Sequence, residues 1–181
     1  MPKSAKKETC IILIDGSNFY FKLKSLGIKN LLHFNYSAFA KYISTKRRLV
    51  SSHYYIGAVR TGKSAKAQKL FNNQRRLLVN LKKHKFQYSL GYLLKSGGSY
   101  HEKAVDVNIA VDILVAAYEN LCDRIVLVSS DTDLLPAIAK ARQQGKAVEH
   151  IGFSHEPSLA MIANCTESRL FTKTELEKFA L

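Results

Sequence analysis

No apolar run in this 181-residue chain approaches the ~20 residues needed to span a bilayer, which argues against a membrane helix. The opening MPKSAKKETCIILID is basic and then apolar. Asp15 cuts that run short of the roughly 7–15 apolar residues of a signal-peptide core. Residues 1–9 therefore read as a basic tail feeding a first strand. No linker long enough to divide two cores follows, so residues 10–181 read as one domain. Cysteine is equally sparse. Cys10, Cys122 and Cys165 are odd in number and widely spaced, with no C-x-x-C and no Cys/His pairing at zinc spacing. That excludes a disulfide framework and points to a reducing, cytoplasmic setting with the thiols as small buried hydrophobes. The six histidines, His33, His53, His84, His101, His150 and His155, show no metal-ligand spacing. Internal repeats and low-complexity tracts are also missing.

Acid is the scarcest resource relative to its opposite. Fourteen Asp and Glu face 28 Lys and Arg, a net charge of +14. A surface of that sign favours a polyanionic partner, nucleic acid first, over the plainer option of a solvated basic face.

Strand and helix signals alternate. CIILI (10–14), VSSHYYIGAV (50–59), FQYSLGYLL (86–94), RIVLVSS (124–130) and KAVEHIGF (146–153) read as strands. Residues 17–26, 36–47, 63–84, 104–120 and 133–143 read as helices, with Leu70, Leu77, Leu78 and Leu81 at core spacing in the third. SGGSYHEK (96–103) reads as a flexible loop, and a last helix starts near Pro157. Such alternation implies a mostly parallel sheet with helices on both faces, and such sheets bind ligands beyond the carboxyl ends of their strands.

Only six aspartates exist, and several fall at that rim. Asp15 ends the first strand, Asp131 and Asp133 follow RIVLVSS, and Asp106 opens the 104–120 helix. Clustered carboxylates repel one another, so gathering them in a basic protein calls for a hard divalent cation. Carboxylate-held Mg²⁺ or Mn²⁺ is the usual apparatus for displacement at phosphorus. Each acid also has a plainer reading as a helix N-cap or first-turn residue. On a helical wheel Asp106 lines up with Ile109, Ala110, Ile113 and Ala117 on the packed side. Asp112 falls about 240° round, on the wet face beside Asn108 and Glu119.

GAVRTGKS (57–64) matches the phosphate-cradling G-x-x-x-x-G-K-S pattern between a strand and a helix. A P-loop NTPase would explain that stretch, with IILID or IVLVSSD supplying its Mg²⁺-holding acid, and would leave D-G-S-N, K-x-V-D and the second acid of S-x-D-x-D unexplained. Read instead as a basic loop, it contributes Arg60 and Lys63, followed by Lys66 and Lys69, to a backbone-phosphate track. Arg75, Arg76, Lys82, Lys83 and Lys85 continue it if they point the same way.

With IDGSN, KAVDVNIAVD and VLVSSDTDLLPAI in this order, the chain resembles the NYN domain family, a branch of the PIN-like ribonucleases, from Ile11 to about Phe171. The resemblance implies a three-layer α/β/α fold with sheet order 3-2-1-4-5. It implies a Mg²⁺- or Mn²⁺-dependent nuclease acting on RNA, with single-stranded RNA expected. Asp15, Asp106 and Asp131 would be metal ligands and Asp133 a fourth, with Asp112 a further candidate from the family pattern. Asn18 would orient a water, a ligand or a phosphate, and Lys103 would join the nucleic-acid contacts. Ala104 and Ser130 stand where relatives often carry Gly, Leu134 where Phe is common, and Asn164 where many have an acid. The alternatives are a non-catalytic RNA-binding module on the same fold and the NTPase using Gly57–Ser64. A dimer is one open option for the assembly.

Overall fold

A computed structural model describes residues 7–59, 61, 64–96 and 99–180, with side chains for all of these except 93–96 and 99–102. Arg60 and Lys63 lie outside the described residues, as do the side chains of Tyr100 and His101.

Strand β1 (Thr9–Asp15) leads into helix α1 (Gly16–Ser25), then a 3₁₀ turn and α2 (Tyr36–Ile43). Next come β2 (Arg48–Gly57), α3 (Ala65–Lys83), β3 (Gln87–Ser96) and β4 (Ser99–Lys103). Helix α4 (Val105–Tyr118), β5 (Arg124–Val128), α5 (Leu135–Gln143) and β6 (Ala147–Phe153) follow. The chain then forms α6 (Leu159–Asn164), β7 (Glu167–Phe171) and α7 (Lys173–Glu177). The sheet order is β4-β3-β2-β1-β5-β6-β7, parallel except for the antiparallel β3–β4 pair. The five strands read from sequence are β1, β2, β3, β5 and β6, and they stand in the expected order 3-2-1-4-5.

Two strands extend that order. SGGSYHEK is not a free loop: Ser99–Lys103 returns along β3, with Tyr92 opposite Lys103. Past Pro157 the chain makes only the short α6 before Glu167–Phe171 adds β7 to the other edge.

The centre of the sheet is covered on both faces, so its strands are apolar at every position rather than at alternate ones. Successive side chains point to opposite faces. Cys10, Ile12 and Ile14 therefore join Phe19, Leu23, Phe39 and Leu81 in one core, against α1, α2 and α3. Ile11 and Leu13 join Ile109, Ile113, Ile138 and Ala141 in the other, against α4 and α5. All three cysteines are free and buried. Of the α3 leucines, Leu81 is buried and Leu77 and Leu78 pack against the core, whereas Leu70, on the second turn, is half exposed.

Candidate metal centre

The parallel register lines the carboxyl ends of β1, β2 and β5 along one rim. Asp15 lies opposite Tyr55 of β2, and Ile14 opposite Val128 of β5. Asp15 caps α1, its Oδ1 accepting the Asn18 N–H at 3.0 Å. The next residue must be glycine: a Cβ on Gly16 would fall 2.2 Å from the Tyr54 ring and 2.6 Å from the Tyr55 carbonyl. That closeness brings α1 down onto β2 and fixes where Asp15 points.

Beyond β5, buried Ser129 links two acids. Its hydroxyl donates to Asp15 Oδ2 at 2.9 Å and accepts the Asp131 N–H at 3.1 Å. Asp131 in turn caps the 3₁₀ turn Thr132–Leu134, its Oδ1 accepting the Asp133 N–H at 2.9 Å. Asn18 reaches across from α1, where its Oδ1 accepts the Ser130 N–H at 3.2 Å. Asp106 arrives on the first turn of α4. Its approach also depends on a glycine, since a Cβ on Gly91 would sit 2.5 Å from the Lys103 carbonyl and 2.7 Å from Val105.

Asp15, Asp106 and Asp131 each offer a carboxylate oxygen, and the three oxygens lie within 4.8 Å of one another. Asp15 is buried, Asp131 half-buried and Asp106 exposed. Burial pushes the Asp15 carboxyl up to about 6, and the charges of Asp106 and Asp131 push the same way. The Asn18 N–H and the Ser129 hydroxyl pull against them. The capping reading and the clustering reading thus hold together for Asp15 and Asp131: each satisfies a helix start and still presents oxygen to the rim. The donor set is all carboxylate, which suits a hard divalent cation. Ser130 Oγ adds a buried hydroxyl with no hydrogen-bond partner among the described residues.

Asp106 is exposed rather than packed, on the first turn of α4. The helical wheel also misplaced Asp112. It is half-buried under the helix, where its Oδ2 accepts the Tyr55 hydroxyl at 2.5 Å. Val107, Val111 and Tyr118 face outward instead. Asp133 is exposed and, like Asp112, lies outside the trio. Asn164 turns its amide back to the Ala160 carbonyl of its own helix at 2.8 Å. Sequence reasoning missed Ser129 and Tyr55. The available signal for the first was its place, a hydroxyl directly after the apolar run RIVLV and two residues before Asp131.

The described part of the 57–64 stretch folds onto its own protein. Buried Gln74 donates to the Gly57 carbonyl at 2.7 Å and accepts the Val59 N–H at 2.8 Å. Ser64 caps α3 by accepting the Ala67 N–H. Lys66 and Lys69 are exposed on the first turns of α3, and Lys103 is exposed at the end of β4. Further along, Lys69 and Arg76 line one groove, and Arg76 and Lys83 line the next.

The family model of the NYN domain matches residues 9–171, nearly the whole chain, and the chain belongs to that family of PIN-like nucleases. Among solved structures, a protein of unknown function from Vibrio parahaemolyticus has the same fold. Its TM-score is 0.71 at 24% identity, covering 93% of this chain and 96% of that one. A C-S lyase from Staphylococcus hominis aligns at a TM-score of 0.28 and 8% identity, over 76% of this chain and 36% of that one, too low to denote a common fold. Among curated proteins no significant match was found. No helix among the described residues is long and apolar enough to cross a membrane.

Proposed function

We propose that this chain is a cytoplasmic, metal-dependent endoribonuclease that hydrolyses phosphodiester bonds in single-stranded RNA. The observation that carries the reading is the trio of Asp15, Asp106 and Asp131 gathered at the carboxyl rim of a chain of net charge +14. In this reading the three aspartates hold Mg²⁺ or Mn²⁺, with Asp133 on the adjoining turn as a fourth ligand. Asp112, engaged by Tyr55, is left out of the ligand set. Such a cation supplies charge neutralisation at the attacking and leaving oxygens and activates water for in-line attack.

The protein groups have their own tasks. Ser129 keeps Asp15 and the Asp131 backbone at a fixed separation. Asn18 uses its side-chain oxygen on the Ser130 N–H, and in this reading its amide N–H₂ meets a phosphate or water. Lys66, Lys69 and Lys103 attract the RNA backbone, joined by Arg60 and Lys63. Such contacts position the strand without reading its sequence.

The test is a time course of labelled single-stranded RNA with Mn²⁺ against EDTA, for the wild type and Asp131→Asn. Cleavage should require metal, and the variant should lose it while folding normally and keeping most of its RNA affinity. Cleavage persisting in Asp131→Asn would remove that carboxylate from the mechanism. RNA bound but uncut by the wild type would favour the non-catalytic module.

A further inference from the structure

Two aromatic side chains stand open on α1, the helix that starts at the acid rim. Phe21 is 64% exposed and Tyr20 44%, and their rings meet edge to face with centroids 5.5 Å apart. The core face of the same helix is already filled by Phe19 and Leu23. Neither exposed ring is needed to attach α1 to the sheet.

Their position gives them meaning. Phe21 lies three residues beyond Asn18 and four beyond Ser17, so its Cβ stands about 5–6 Å from theirs on one helix surface. Asn18 grips the loop that carries Asp131. Farther along the same side, Ser25 meets His155 at 2.8 Å and Lys22 pairs with Glu156 at 2.6 Å. This side of α1 is therefore stitched to the loops after β5 and β6, with Phe21 left open beside them. Single exposed apolar side chains need no explanation, but here two adjoining rings form one apolar patch rimmed by polar groups, the kind of surface that takes a partner. The occupant must also suit the charge of +14, which disfavours a second copy of the chain and favours a polyanion carrying flat apolar faces.

We propose that Phe21, backed by Tyr20, is a stacking platform for one base of an unpaired nucleic-acid strand whose backbone crosses the Asp15–Asp106–Asp131 rim. The proposal rests on the nuclease reading of that rim and adds to it the side chain that selects an unpaired strand. Every base has a π-face, so the platform tolerates sequence. A duplex hides those faces within its own stack, so the platform selects single strands.

The test uses binding in EDTA, where cleavage cannot contribute. The probes are an oligoribonucleotide carrying 2-aminopurine, the same strand with abasic positions, and a fully paired duplex. Wild type should prefer the base-bearing strand and quench its fluorescence. Phe21→Ala should weaken that binding by at least about fivefold, as expected for one lost base–aromatic stack, and abolish the quenching. It should leave the abasic strand within about twofold, and Phe21→Trp should restore both readouts. Equal losses on base-bearing and abasic strands, or no loss on either, would overturn the platform. A wild-type dimer dissolved by Phe21→Ala in sedimentation would overturn it too, by assigning the face to self-association. If the binding pattern holds but no metal-dependent cleavage is found, the platform stands and the nuclease reading falls.

Discussion

Ala104 sits at φ 71°, ψ 0°, in the left-handed region, immediately before α4. There the Cβ of any L-residue crowds the backbone at a cost of about 1–2 kcal/mol, and glycine escapes it. The family habit of glycine at this point thus has a physical reason. Glycine's extra freedom in the unfolded chain returns part of the gain. Ala104→Gly should therefore stabilise the protein by about 0.5–1 kcal/mol, read as a raised Tm. Asp15 shows a second local cost. Its folded pKa of about 6 lies above the ordinary 3.8, so between those values the folded state binds more protons than the unfolded one. Its contribution therefore falls as pH rises through that window, leaving a penalty on the order of 1–3 kcal/mol at neutral pH. Buried His150 works the other way. Burial pushes its imidazole down to about 4 from 6.5, so its contribution is lost as pH falls through that range. The two slopes oppose one another, and only a variant separates them. Asp15→Asn in EDTA should be more stable than wild type in urea at pH 7, and the difference should vanish by about pH 4. A difference independent of pH would mean that burial of this charge is not its source.

At the scale of elements, the rim opposite the acids is held by charge. Arg47 contacts Glu8 at 2.9 Å and Glu149 at 2.7 Å, and Arg124 contacts Glu8 at 3.0 Å and Glu167 at 2.9 Å. This network gathers the starts of β1, β2, β5, β6 and β7 around two guanidinium groups. Glu149 is its most buried acid, with 5% of its side chain exposed. Glu149→Gln leaves both arginines short of a counter-charge in a poorly solvated place. It should cost on the order of 2–4 kcal/mol in chemical denaturation. Lys173→Ala, which breaks an exposed pair with Glu177, should cost less than about 0.5 kcal/mol. The network also explains what the sequence did not disclose, since Glu8, Arg47 and Glu167 carry no local pattern and meet only through the sheet. The same holds for β4 and β7. SGGSYHEK has the composition of a loop, and its strand character comes from pairing with β3. ESRLF is short and half exposed, with β6 as its partner. By contrast CIILI and RIVLV are buried on both faces, and continuous apolar runs announce such strands. The acids were legible for a related reason: each of the trio stands directly after a strand or at a helix start. Asp112 was misread because the wheel ranked its neighbours by polarity, whereas the hydroxyl of Tyr55 decided which way it faces.

At the scale of the whole molecule, the basic excess is ordered along α3. Lys69, Arg76 and Lys83 are seven residues apart, which keeps them on one side of the helix. The first two share one groove, and the last two share another of about 400 Å³ against Leu32 and His33. Their neighbours are differently occupied. Arg75 lies over the Phe71 ring at 5.9 Å and Lys82 over Tyr88 at 5.6 Å. The stripe begins on the second turn of α3, the helix that follows the carboxyl end of β2. Each phosphate contact releases condensed counterions, so affinity must fall with salt. Lys69→Ala and Arg76→Ala should each weaken binding of single-stranded RNA regardless of its sequence. Each should also reduce the slope of log affinity against log salt by about 0.7, the value of one phosphate on a single strand. Lys173→Ala, whose ammonium faces Glu177, serves as the control and should leave the slope unchanged. Equal slopes for all three variants and the wild type would take the track off α3. The affinity lost at low salt should also shrink as salt rises, because it is the screened part of the attraction that these side chains supply.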